Sequence, residues 1–159
     1  MDREAIERVH RQAFGRTAEA ELVNALREGG YARVSLVAEA AGEVIGHVLF
    51  HAVEIKDGAS TVEALSLAPL AVLPEHQRQG VGSRLVQAGL EACRAQGGQW
   101  VFVLGEPAYY GRFGFSAELG ARVASPYAGA AFMALELTPG AMDRIRGEVR
   151  YPPPFSELE

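Results

Sequence analysis

A chain of 159 residues, 48% hydrophobic and 22% charged, has the size and composition of one globular domain with a sizeable core. Its formal net charge of −5 repels polyanions at long range and excludes nucleic acid as an expected partner. A single cysteine allows no internal disulfide, no apolar run approaches the roughly 20 residues of a membrane span, and the charged N-terminus is unlike a signal peptide, so no membrane partner and a cytoplasmic location are expected.

In chain order, Ala5, Ile6, Val9, Ala13 and Phe14 recur at helical spacing until Gly15. A second helix is predicted over residues 18–26, with Leu22, Val23 and Leu26 facing inward, ending near Gly29 and Gly30. Residues 34–40 and 44–55 are strand-like, and the turn Ala41, Gly42, Glu43 between them predicts an antiparallel hairpin. Residues 57–60 turn again, leading through Thr61, Val62 and Glu63 into an apolar strand at 65–72. Pro74, with no N–H for a sheet ladder, closes it.

Then come Gln77, Arg78, Gln79, Gly80, Val81, Gly82 and Ser83, followed by Leu85, Ala88, Ala92 and Ala95 at helical spacing, with Val86, Leu90 and Cys93 beside them and a stop at Gly97 and Gly98. Residues 100–104 read as a second buried strand. Strand, glycine loop, helix, strand is a βαβ unit with parallel strands. Antiparallel strands are predicted at 121–125 and 131–137, and a free edge near the latter suits a homodimer. The tail Tyr151, Pro152, Pro153, Pro154, Phe155 is expected to pack as an extended terminus, because its aromatics favour burial. The fold class is a single mixed α/β domain: a mixed central sheet with a parallel βαβ core and flanking helices.

Glycines at the start of a helix let a ligand approach the backbone, where unpaired first-turn N–H groups favour negative charge. Residues 77–83 therefore read as a phosphate cradle, with His76, Arg78 and Arg84 adding positive charge. The loop lacks the Lys of a P-loop, and Ser83, Arg84 and Leu85 stand where a dinucleotide fingerprint places its third glycine.

The spacing Gln77-x-x-Gly80-x-Gly82 resembles the Q/R-x-x-G-x-G/A signature of the GNAT superfamily of acyl-CoA-dependent N-acyltransferases. Tyr110, Gly111, Arg112, Phe113, Gly114 and Phe115 are similar to the Y-x-x-x-G-F element of the same superfamily, and the string from Leu104 to Phe115 is similar to a YhbS-like subgroup. The resemblance implies a splayed pair of parallel strands with acetyl-CoA, or a related acyl-CoA, between them. Backbone groups of Leu70, Ala71 and Val72 would then face pantetheine, Gln77, Arg78, Gln79, Gly80, Val81, Gly82 and Ser83 would wrap the pyrophosphate, and Tyr110 would approach the thioester sulfur. Tyr109 is the runner-up for that role. The resemblance implies an opening strand before the first helix; with Met1, Asp2, Arg3 and Glu4 already at the helix, that strand is expected to be absent or lost through a late start site.

The chemistry so implied is attack of a neutral amine on a thioester, with a main-chain N–H for the oxyanion, a donor for the thiolate and an exit for the proton. No carboxylate stands where many superfamily members carry one in the central strand; Ala68 and Pro69 occupy those places. Glu63 and Glu106 are the nearest alternatives, His47 and His51, four apart on a strand, share one face and could border the cleft, and a water chain is a further route. No metal-ligand spacing is present, Cys93 reads as core, and Ser66 and Ser83 lack hydrolase partners. The expected activity is N-acyl transfer to a small-molecule or peptide amine. A catalytically silent acyl-CoA sensor or partner-binding module is the alternative class, and a nucleotide-binding protein a third.

Overall fold

A computed structural model of the chain describes residues 3–158. Two amphipathic helices come first, α1 (Arg3–Phe14) and α2 (Ala18–Glu28), followed by β1 (Ala32–Ala40), β2 (Glu43–Asp57) and β3 (Ser60–Val72). After a short 3-10 turn at Pro74–His76 come α3 (Val81–Ala95), β4 (Trp100–Leu104), the single-turn helices α4 (Pro107–Tyr110) and α5 (Ala117–Gly120), then β5 (Phe132–Glu136) and β6 (Glu148–Arg150). The sheet is six-stranded in the order β1-β2-β3-β4-β5, with β6 on β2. It is mixed: β3 and β4 run parallel and every other pair is antiparallel. None of the described helices is long and apolar enough to cross a membrane.

The period-two alternation of the strands divides the core. Val48, Phe50, Leu65, Leu67, Val101 and Val103 pack with Leu85, Val86 and Leu90 of α3 on one face. Leu49 packs with Ile6, Leu22, Val23 and Leu26 of the first two helices on the other. Contact between α3 and the sheet is close enough to require glycine: a Cβ at Gly89 would stand 2.1 Å from the ring of Phe50.

Two local features depart from the sequence reading. Residues 121–125 form no strand; only Ala124 makes an isolated parallel bridge, to Glu148. The partner strand is instead β6, which pairs with Glu54, Ile55 and Lys56 of β2. β2 outruns β1, whose pairing stops at His51, and the bare edge left over takes a short segment with no pattern of its own. The free edge anticipated at β5 is partly covered, because Ser116 exchanges two backbone hydrogen bonds with Ala134, at 2.9 and 3.0 Å. The tail packs as anticipated but turns as a 3-10 segment at Pro153–Leu158, with the Phe155 ring 4.8 Å from that of His51.

Candidate active site

The parallel pairing of β3 with β4 covers only Leu65, Ser66 and Leu67, opposite Val101, Phe102 and Val103. Beyond that point β3 continues to Val72 still paired with β2 but with no strand on its β4 side, so that edge opens into a cleft of about 390 Å³. Which backbone groups face the opening follows from β2. The Leu73 N–H donates to Ile45 O at 2.8 Å, and Ala71 stands opposite His47. By alternation Ala71 also turns its amide and carbonyl toward β2, while Leu70 and Val72 turn theirs to the opening. Ala71 is buried and lies among core residues packed near α1. The expectation of three consecutive strand residues offering backbone groups is therefore corrected to two, Leu70 and Val72.

The Val72 carbonyl is partly used already, accepting from Gln77 Nε2 at 2.9 Å. This bond ties the loop to the strand end. Arg78 and Gly80 both adopt left-handed backbone (φ 65° and 85°), which turns the chain sharply into α3. Arg84 N–H bonds to Gly80 O at 3.1 Å; the N–H groups of Val81, Gly82 and Ser83 precede the first such bond and carry the positive end of the helix dipole. Gly82 forms part of the cleft wall: a Cβ there would lie 3.0 Å from Tyr109 Oη, 3.7 Å from Val72 and 3.8 Å from Leu70.

The predicted loop residues divide between two surfaces. Gln77, Arg78, Gly80, Gly82 and Ser83 line the cleft, together with His76. The side chains of Gln79, Val81 and Arg84 face a separate groove between β1 and α3, so Gln79 and Val81 can serve the cleft only through their backbone. Besides Arg78, a cation to which the sequence reading gave no role reaches the cleft, Arg112. Its guanidinium donates to Ser83 Oγ at 3.1 Å and lies 4.7 Å from the centre of the Tyr109 ring.

Tyr109 and Tyr110 are successive residues of α4, capped by the Glu106 carboxylate on the Ala108 N–H. Successive positions on a helix point about 100° apart. Tyr109 accordingly lies over the cleft, its hydroxyl 3.4 Å from Ser83 Oγ, whereas Tyr110 lines a second cavity, of about 430 Å³, on the other side of the β3 end. Leu70 borders both spaces. The Tyr110 hydroxyl has no hydrogen-bond partner among the described residues. Burial, with a smaller contribution from Tyr109, pushes its pKa up to about 12.

The second cavity draws on distant segments: Phe14 and Glu19 from the first two helices, Ser66 to Leu70 from β3, and Tyr127, Tyr151 and Phe155 from the C-terminal region. Glu19 and these aromatics were missed by sequence reasoning, because no motif connects them. The candidate bases fare differently. Glu63 stands at the far end of β3, exposed and paired with Arg33 at 2.9 Å. Glu106 caps α4.

His47 and His51 do share a face, but neither lines the cleft. His47 is fully buried between Ser35 Oγ at 2.8 Å and the ring of His10 at 2.9 Å. His51 is buried beside Phe155. Desolvation lowers their pKa to about 3 and about 4, keeping both rings neutral. Cys93 is buried in the core, and its pKa is raised by burial to about 12, as suits packing rather than nucleophilic attack.

A mixed sheet whose parallel centre splays at a glycine-lined helix start, with one tyrosine in each of two adjoining spaces, is the arrangement that the resemblance to acyl-CoA-dependent N-acyltransferases implied. Residues 1–117 match the family model described as an acetyltransferase (GNAT) domain. The chain is 35% identical over 161 residues to "Uncharacterized N-acetyltransferase YhbS" of Escherichia coli K12, covering 99% of this chain and 95% of that protein. It is 45% identical over 116 residues to "Uncharacterized N-acetyltransferase YjhQ" of the same organism, a stretch that spans 72% of this chain and 64% of YjhQ.

Among solved structures, YhbS from Escherichia coli in complex with CoA superposes with a TM-score of 0.91 at 34% identity, over 99% of this chain and 88% of that one. A GNAT family acetyltransferase from Brucella melitensis in complex with acetyl-CoA follows at 0.80 and 34%, over 97% and 92%. The chain belongs to the GNAT acetyltransferase family.

Proposed function

We propose that this protein moves an acetyl or related short acyl group from acyl-CoA to a primary amine by direct attack. The observation that carries the reading is a single cleft lined by the open edge at Leu70 and Val72 and by Gly82 and Ser83 at the start of α3, with Tyr110 in the neighbouring cavity that shares Leu70 with it. The cleft fits the cofactor: its wall at Gly82 is open where any other residue would place a Cβ, and Arg78 and Arg112 supply local positive charge to a protein whose net charge is −5. Two relatives of the same fold, each 34% identical, are in complex with CoA and acetyl-CoA.

In this reading the outward backbone groups of Leu70 and Val72 hold the pantetheine arm as an added strand is held. The N–H groups of Val81, Gly82 and Ser83, with Arg78 and Arg112, take the pyrophosphate. The Leu70 N–H serves the developing oxyanion. The amine nitrogen forms the new C–N bond, the C–S electron pair passes to sulfur, and the surplus ammonium proton leaves to solvent. Tyr110 meets the sulfur as a hydrogen-bond donor. With a thiol near 8.5 and the tyrosine at about 12, full transfer of its proton is uphill by about 5 kcal/mol, so it stabilises the thiolate rather than protonating it.

Calorimetric titration with acetyl-CoA, beside ATP and NAD at equal concentration, tests the cleft: micromolar binding of acetyl-CoA alone is expected, and preference for either nucleotide would overturn the reading. A silent acyl-CoA-binding module is favoured by the lack of a carboxylate where β3 opens into the cleft, since Glu63 lies at the strand's other end. Thiol release with an amine panel separates the two.

A further inference from the structure

The cavity beyond Tyr110 has unlike parts whose chemistry is complementary to one kind of molecule. Its wall is apolar and aromatic, including Phe14, Leu104, Tyr110, Tyr151 and Phe155. Among the described residues, Phe14 at 40%, Val62 at 45% and Leu104 at 51% are the large hydrophobics left exposed, and two of them face this space. Single exposed hydrophobics are ordinary, but two gathered with aromatic rings around one cavity form a contiguous apolar lining that an apolar occupant can cover. The aromatic side is held in place: the Tyr151 ring packs 4.9 Å from that of Tyr127 and 5.1 Å from that of Phe155.

Against that wall stands one charge. The Glu19 side chain is 13% exposed and is paired with Arg16, which donates from Nε to Oε1 at 3.0 Å and to Oε2 at 3.2 Å and from a terminal guanidinium nitrogen to Oε2 at 2.5 Å. Hydrogen bonding from Arg16 holds its pKa below the usual range, so it is a carboxylate at neutral pH. One guanidinium does not exhaust the acceptor sites of a carboxylate. No lysine or arginine is among the residues lining the cavity.

We propose that the acceptor is a small monoamine with an aliphatic or aromatic body, its ammonium received by Glu19 and the surrounding rings and its body by the Phe14 and Leu104 wall. This rests on the N-acyl transfer proposed above and names the substrate class for the same site. An amino acid or phosphorylated amine would bring an anion into a cavity with no cation in its lining, where the adjacent Arg16 is already paired with Glu19. A polyamine or aminoglycoside would press further polar groups against apolar wall, an unpaired desolvation. A cavity of about 430 Å³ takes a small molecule rather than a peptide segment. The reaction balances as R–NH3+ plus acyl-S-CoA giving R–NH-acyl, CoA thiol and one proton. Glu19 binds the ammonium; the rings attract it through their faces.

The test uses the full chain, acetyl-CoA and a panel of 2-phenylethylamine, hexylamine, glycine, spermidine, kanamycin and a lysine tetrapeptide, read by thiol release. The two monoamines should show kcat/KM at least about tenfold above the others. Glu19→Gln, which retains a hydrogen bond for Arg16, should raise the monoamine KM about tenfold or more with kcat within about threefold and calorimetric acetyl-CoA affinity unchanged. Phe14→Ala, at an exposed position that threatens folding little, should raise the same KM. Preference for any other panel member, no turnover of either monoamine by protein that binds acetyl-CoA, or a parental KM in both variants overturns the assignment and leaves the cofactor reading standing. Loss of acetyl-CoA binding by the parent protein overturns both.

Discussion

Replacing Gly82 by valine separates the fold from the cradle. The new Cβ would lie 3.0 Å from Tyr109 Oη, at the mobile end of that side chain, and 3.7–3.8 Å from Val72 and Leu70, so the helix itself accommodates it. Helix propensity differs little between Gly and Val and slightly favours the latter, by a few tenths of a kcal/mol, so thermal stability should hold within a few degrees. The valine γ-methyls, however, reach past the Cβ into the cleft that a phosphate must enter to meet the first amides of α3. A charge-assisted hydrogen bond contributes about 1.5–3 kcal/mol, and loss of two would cost about 3–6 kcal/mol, or two to four decades in Kd. Calorimetry with CoA and a melting curve on the same sample read both quantities; Gly82→Ala should fall between parent and valine. A folded valine variant that binds CoA as tightly as the parent would show that the pyrophosphate does not sit at α3.

Tyr110→Phe should lower kcat by about a hundredfold with the CoA Kd nearly kept, because the hydroxyl has no partner to lose among the described residues; parental turnover would reduce Tyr110 to packing. Arg112→Ala should weaken CoA binding about tenfold at low salt, and less at high salt, as removal of a phosphate contact does. Acid stability follows the buried histidines. Desolvation lowers the pKa of His10, His47 and His51 to about 4, about 3 and about 4, so the folded state stays neutral where unfolded histidines, near 6.5, take up protons. Their contribution is complete above about pH 6.5 and is lost as the pH falls toward the folded values, by about 2 kcal/mol per histidine at pH 5. Urea midpoints at pH 7 and 5 measure it, and equal midpoints would contradict burial of neutral rings.

Local periodicity was enough to read both N-terminal helices, the first hairpin, the βαβ centre and the glycine loop, because each is set by the spacing of apolar residues and by turn glycines within one segment. Residues 100–104 match β4 in full. The same local signals were silent on pairings between distant segments. Three residues, 148–150, become a strand only because β2 outruns β1. The turn of Ala71 away from the cleft depends on register against β2, which no single strand specifies.

The site divides in the same way. The Gln77 to Ser83 loop and the Tyr110 to Phe115 run are contiguous and could be recognised as strings, but which tyrosine overlies Gly82 and which lines the second cavity was decided by where α4 docks. His47 and His51 were correctly placed on one face of a strand, yet α1 and the tail cover that face. Glu19 and Phe155 meet in one cavity across most of the chain's length, and nothing in either neighbourhood announces it. Segment-level chemistry is written in the order of residues; the composition of a pocket is set by long-range packing, whose partners the order of residues does not mark.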